Sequence, residues 1–171
     1  MKKFFLVVAV LFSLGHSMRA QDVDLGLTAG YLNARGVLKF GNESISNSQS
    51  GLYAGAVADF GITEKFNIQP EALYARVDGT DRLMIPILGK YNIVEKFNIQ
   101  AGPQLVFALE GDRNNYSEVE FDIAAGFGYD ITEDFFFEAR YTLQINNTYT
   151  GNEDIKVRGN YLSLGLGYKF L

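Results

Sequence analysis

The stretch "YLSLGLGYKFL" at positions 161–171 constrains the fold more than any other feature. Leu162, Leu164, Leu166, Tyr168 and Phe170 fall on one side, and Ser163, Gly165, Gly167 and Lys169 on the other. Period two over this length is a β-strand with one apolar face, because successive side chains of a strand point to opposite faces.

The same pattern returns seven more times. In the first strand Val23, Leu25, Leu27, Ala29 and Tyr31 oppose Asp24, Gly26, Thr28 and Gly30. A second runs over 52–60, a third over about 66–77, a fourth over about 82–91, a fifth over 97–107, a sixth over 121–129 and a seventh over 135–144. Roughly ten residues is the length a tilted strand needs to cross a bilayer. Three related phrases punctuate the series: "ITEKFNIQ", "IVEKFNIQ" and "ITEDFFFE", ending at Gln69, Gln100 and Glu138. Their unequal spacing is unlike a solenoid and suits a recurring tight turn that starts a returning strand. The other connections, 33–50, 110–118 and 145–159, are expected to be long polar loops, with "DGTD" at 78–81 the short exception. Short turns at one end and long loops at the other characterise an outer-membrane barrel, whose short turns face the periplasm.

Which face points outward decides the environment. A soluble lipocalin-like barrel also alternates, but it fills its inside with large apolar residues and charges its outside. Here the polar face carries many glycines, which suits a narrow eight-strand interior. The apolar face is aromatic near the strand ends. Phe60, Phe66, Tyr91, Phe97, Tyr129, Phe135 and Tyr168 group at the short-turn end, and Tyr31, Tyr74, Phe107 and Phe121 toward the long-loop end. Two aromatic belts are expected at the two interfaces of a membrane. The fold read from these residues is all-β: an eight-stranded antiparallel up-and-down transmembrane β-barrel, with a soluble barrel as the alternative. Its lumen is expected to hold a polar network of Asp24, Asp59, Glu71, Lys90, Asp122, Glu138, Arg140 and Lys169. Buried charge has to be paired or hydrated. Lys90, Arg140 and Lys169 are fewer than the acids, so water or protonated carboxyls are expected among them. Such a lumen is either a salt-bridged plug or a gated ion path, and the small bore of eight strands favours the plug.

Residues 1–20, "MKKFFLVVAVLFSLGHSMRA", pair a basic start with an apolar run of eleven residues and small residues before Gln21. This is the pattern expected of a cleavable signal peptide, too short to be a membrane anchor helix, which leaves 21–171 as one barrel domain. Its removal leaves twelve basic and twenty acidic residues, a formal charge of −8, and takes away His16, the one histidine. Strong acidity argues against nucleic acid as a partner. A chain without His or Cys lacks the usual zinc ligands and the usual general base of acyl transfer. No enzyme activity, cofactor or metal site is expected.

The stretches "AGAVADFGITEKFNIQPEALY" at 54–74, "IPILGKYNIVEKFNIQAGPQL" at 85–105 and "GLGYKF" at 165–170 resemble the small outer-membrane β-barrel proteins common in Bacteroidetes, the PorT-like or "outer membrane protein beta-barrel domain" group. The architecture is also similar to OmpX- and OmpA-type barrels. The resemblance implies outer-membrane lipids as surroundings, periplasmic N- and C-termini, and insertion by a barrel assembly machinery that reads terminal aromatics, here Tyr168 and the penultimate Phe170. Three roles follow: a structural or surface-interaction protein, an accessory subunit of a secretion or envelope complex with protein partners there, or a narrow channel.

Overall fold

A computed structural model describes residues 23–40, 43–109, 117, 119–149 and 155–170. The expected signal peptide, most of 110–118 and Leu171 lie outside the described residues. The described residues form eight strands: β1 (Val23–Phe40), β2 (Glu43–Gly61), β3 (Phe66–Val77), β4 (Thr80–Val94), β5 (Phe97–Ala108), β6 (Val119–Asp130), β7 (Phe135–Gln144) and β8 (Ile155–Lys169). Each pairs antiparallel with the next, and β8 pairs with β1, so the sheet is a closed barrel. Closure leaves no edge in the wall and satisfies the backbone where no water is available to do so.

The stagger follows from the register. Partners traced from Asn33 through Leu162, Tyr141, Ala125, Ala101, Gly89, Ile68 and Phe60 return to β1 at Val23, ten residues from the start. Ten residues at ~3.3 Å each, over eight strand spacings of ~4.8 Å, tilt the strands by about 40°. Ten residues of a strand at that tilt rise by about 25 Å, the height of an outer-membrane apolar band.

The repeated phrases are the turns at one end. Between β2 and β3, Thr63 Oγ1 accepts the backbone N–H groups of Lys65 at 3.3 Å and Phe66 at 3.0 Å. Between β6 and β7, Thr132 Oγ1 does the same for Asp134 at 3.3 Å and Phe135 at 3.0 Å. The middle copy has Val94 in place of the threonine, which has no hydroxyl to close the turn. There β4 runs on to Val94, the turn shrinks to Glu95–Lys96, and the register shifts between Asn92 and Val94. At the other end β3 and β4 join through Asp78 (φ 48°) and Gly79 (φ 78°), the two left-handed positions of a two-residue hairpin turn.

One sequence expectation is corrected at this end. Residues 33–50 are not a loop: β1 and β2 stay paired as far as Phe40 and Glu43. Within 145–159, β8 begins at Ile155 and pairs with β1 up to Phe40. The turn-rich composition suggested a loop, but pairing along both edges of β1 holds its outer half extended. The result is a three-stranded ribbon of β2, β1 and β8 standing beyond the hairpin that ends β3.

Candidate functional site

The inward alternation of all eight strands converges on a filled lumen, in layers. At the short-turn rim Lys169 Nζ lies 3.6 Å from Asp24 and 3.5 Å from Asp130. Counting along the sequence from the start of strand one and the end of strand eight places Asp24 near Gly167 and Lys169 on the lumen face, and that pairing across the β1–β8 seam is present, at the rim rather than within the network. Phe136 on β7 fills the floor, with 4% of its surface exposed. A Cβ at Gly167 would stand 2.0 Å from its ring, so only glycine leaves room for it. Gly165 does the same for Tyr53, whose hydroxyl would be 2.0 Å from an added Cβ.

Above the floor runs a continuous polar network. Asn67 donates to Asp59 at 2.7 Å, and Lys90 donates to Asp59 at 2.6 Å and to the Gln69 carbonyl at 2.7 Å. The Gln69 amide donates to Glu71 at 2.6 Å and Glu138 at 2.9 Å. Arg140 closes the chain, with two bonds to Glu71 at 2.9 and 2.8 Å and one to Glu138 at 3.1 Å. Gln69 thus bridges the two ion-paired clusters, accepting from the lysine and donating to both glutamates. Asp122 accepts from Gln104 at 3.1 Å.

Toward the long-loop end the lumen turns apolar. Leu32, Tyr53, Leu73, Ala75, Val77, Met84, Val106 and Tyr161 form one buried cluster. The Tyr161 hydroxyl donates to Glu120 and accepts from Arg82 at 2.8 Å, while Arg82 pairs with Glu120 at 3.0 Å. The bore is therefore closed twice, by an ion-paired network and by an apolar stopper with its own ion pair. The stopper adds an apolar layer above the polar network expected of the lumen. The surface facing the bilayer direction carries the aromatics. Tyr31, Phe66, Tyr74, Tyr91, Phe121, Tyr129, Phe135 and Tyr168 are exposed there, and Phe60, Phe97 and Phe107 are partly covered on the same alternation. Phe135 packs on Tyr168 with ring centroids 4.9 Å apart, and Phe97 stacks on Phe127 at 5.8 Å.

This apolar exterior around a filled polar interior is the inside-out plan of a membrane barrel. Residues 76–170 match the family described as outer membrane protein beta-barrel domain. The chain belongs to this family. Membership places the barrel in an outer membrane, and the exposed apolar face is the surface that lipid covers there. Among solved structures, the chain is similar to Ail, the attachment invasion locus protein of Yersinia pestis, in complex with the heparin analogue sucrose octasulfate. The identity is 15%, the match covers 87% of this chain and 99% of that one, and the TM-score is 0.52. Neisserial surface protein A matches at 16% identity over 84% of this chain and 97% of that one, with a TM-score of 0.48. Likeness at this identity concerns the fold alone. No curated protein sequence matches the chain.

Several lumen residues of this family member escape a reading of the sequence. Arg82 and Glu120 lie near strand starts, where the alternation is short, and Tyr161 lies in β8 just below the segment that reads as a loop in the sequence. Phe136 stands between two outward phenylalanines, and its inward direction is legible from period two alone. Arg82 adds the lumen cation that a charge count over Lys90, Arg140 and Lys169 omits.

Proposed function

We propose that this outer-membrane barrel is a non-enzymatic, non-conducting protein that presents the β1–β2–β8 ribbon at the cell surface, with its short turns and both termini in the periplasm. The observation that carries the reading is the contrast between a doubly closed lumen and a long exposed ribbon. A channel needs a continuous polar bore, and the apolar stopper interrupts it. The ribbon offers contact surface instead. Pairing of β2 with β3 ends at Gly51 and Val77, while pairing with β1 continues to Glu43. Among the described residues no strand pairs with the second edge of 43–50. An open edge is a template for adding a strand from another chain, so the reading includes protein contact by strand addition. An accessory place in a secretion or envelope complex would use the same edge, and co-purification from native membranes distinguishes a solitary barrel from a subunit.

The chain has no cysteine, so single cysteines report sidedness cleanly. Ser48→Cys is expected to react with a membrane-impermeant maleimide on intact cells. Thr63→Cys, in a short turn, is expected to react only after the outer membrane is permeabilised. The reverse pattern contradicts the orientation and with it the surface role.

A further inference from the structure

All three prolines of the chain lie inside strands: Pro70 in β3, Pro86 in β4 and Pro103 in β5. Proline has no N–H to give to a ladder and is rare in the interior of a sheet. The ladders break there. Pairing of β2 with β3 stops at Val57 with Glu71 and resumes at Phe60 with Ile68. Pairing of β3 with β4 skips from Leu73 with Met84 to Pro70 with Ile87, and that of β4 with β5 skips from Pro86 with Gln104 to Gly89 with Ala101. The register is the same on both sides of each gap, so no residue is inserted. Counted across the gaps, Pro70 stands opposite Ala58, Pro86 opposite Glu71 and Pro103 opposite Ile87. The other five ladders run without a gap.

The gaps line up across the wall. Ala101, Gly89 and Ile68 are successive partners, and Pro103, Pro86 and Pro70 stand two, three and two residues from them toward the long-loop end. This seam lies between the aromatic belts, since Pro70 is midway between Phe66 and Tyr74. In hydrocarbon a carbonyl without its ladder donor is unfavourable, so the strands beside it are held less firmly. What stands behind each gap differs. Behind the first are Asp59 and Gln69 and behind the second Glu71, all members of the ion-paired network. Behind the third are Leu88 and Gly102, opposite each other by the same count. Gly102 brings no side chain, so the fully buried Leu88 covers that gap from within. Leu88 also ends an apolar line on the inner face of β4, Met84, Pro86 and Leu88, that leads down from the stopper. On the lipid side a groove of about 520 Å³ adjoins the same gap, lined by Ala101, Pro103, Leu105, Phe121 and Ile123 among others.

We propose that the β4–β5 gap is a lateral portal that passes small, uncharged apolar molecules between the upper lumen and the bilayer. The guest enters at the ribbon end and displaces the stopper at Met84, whose unbranched side chain adapts readily. It then moves along Pro86 to Leu88 and leaves past Pro103 into the outer groove. Ions do not follow, because the stopper and Leu88 give them no polar partner, so the portal carries no current. This activity goes beyond the surface role and rests on the outward orientation proposed above.

Entry of N-phenyl-1-naphthylamine into intact cells tests it. The dye is uncharged and fluoresces on reaching hydrocarbon, so the rate of the rise reads its arrival in the membrane. Cells making the wild type are expected to take it up severalfold faster than cells without the protein. Pro103→Val restores a ladder N–H at the portal and should return the rate close to that of cells without the protein. Pro70→Val restores the same kind of bond at a gap backed by the polar network, and should keep the wild-type rate. Leu88→Ala should raise the rate. Heat-modifiable gel mobility establishes that each variant is folded and present in equal amount. Nitrocefin cleavage by a periplasmic β-lactamase, which reads the entry of a polar molecule, should be the same in every strain. Dye entry no faster with wild type than without it overturns the proposal. So does an undiminished rate in folded Pro103→Val, equal slowing by Pro103→Val and Pro70→Val, or nitrocefin entry that rises with dye entry, which is general leakage. Maleimide labelling of Ser48→Cys on the same cells separates the two readings. Labelling without faster dye entry refutes the portal alone, and absent labelling refutes the orientation and the portal with it.

Discussion

Replacing Arg140 with methionine removes the centre of the lumen network. Arg140 makes three bonds to Glu71 and Glu138, and all three residues are at most 4% exposed. Methionine keeps much of the volume but leaves two carboxylates facing each other without a cation. Breaking a buried ion pair from one side costs about 3–5 kcal/mol, because the remaining charge is uncompensated. Gln69 donates to both acids and accepts from Lys90, so part of the loss should spread toward Asp59. The variant Glu71→Gln/Arg140→Met removes one stranded charge together with the cation. Residues in one network couple by about 0.5–3 kcal/mol, so the double variant should lose clearly less than the sum of the single ones. Reversible urea unfolding in lipid vesicles measures this. The chain has no tryptophan, so far-UV circular dichroism or the fluorescence of its ten tyrosines is the signal. A cost below about 1 kcal/mol for Arg140→Met, with additive single variants, would refute the reasoning. It would mean that water already solvates these acids and that the network seals nothing.

Ile123→Arg, on the exposed outer face, should destabilise the barrel by about 2–4 kcal/mol in vesicles if its site lies near the bilayer midplane. Gln104→Arg, which faces inward beside Asp122, should cost less, and urea midpoints rank the two. Gly167→Ala should cost about 1–3 kcal/mol through its collision with Phe136, and Phe136→Leu in the same chain should recover part of it. Thr132→Val should lose about 1 kcal/mol with the two turn hydrogen bonds, whereas Val94→Thr, in a turn already closed by two residues, should change stability little.

Period two makes the direction of most side chains legible without a structure, and it gave the closure of strand one on strand eight closely enough to pair Asp24 with Lys169. Direction is not height, however. Leu73, Met84 and Leu88 fall on the inward alternation in the sequence, yet nothing local says that Leu73 and Met84 join Leu32 and Val106 in one stopper. That depends on the ten-residue stagger, which is a property of all eight ladders together. The ribbon is hidden in the sequence for a different reason. "NESISNSQS" is rich in turn formers, and its strand character comes from its partner across the hairpin, although serine at every second position was a visible trace of it. The turns show how one residue changes local structure: threonine closes two of the repeats as four-residue turns, and valine makes the third a tight one.

Single-barrel conductance in planar bilayers tests the closed lumen most directly. Wild type is expected to give no steady conductance at moderate voltage and high salt. Steady, ohmic steps from the wild-type protein would contradict the double closure and restore the channel reading.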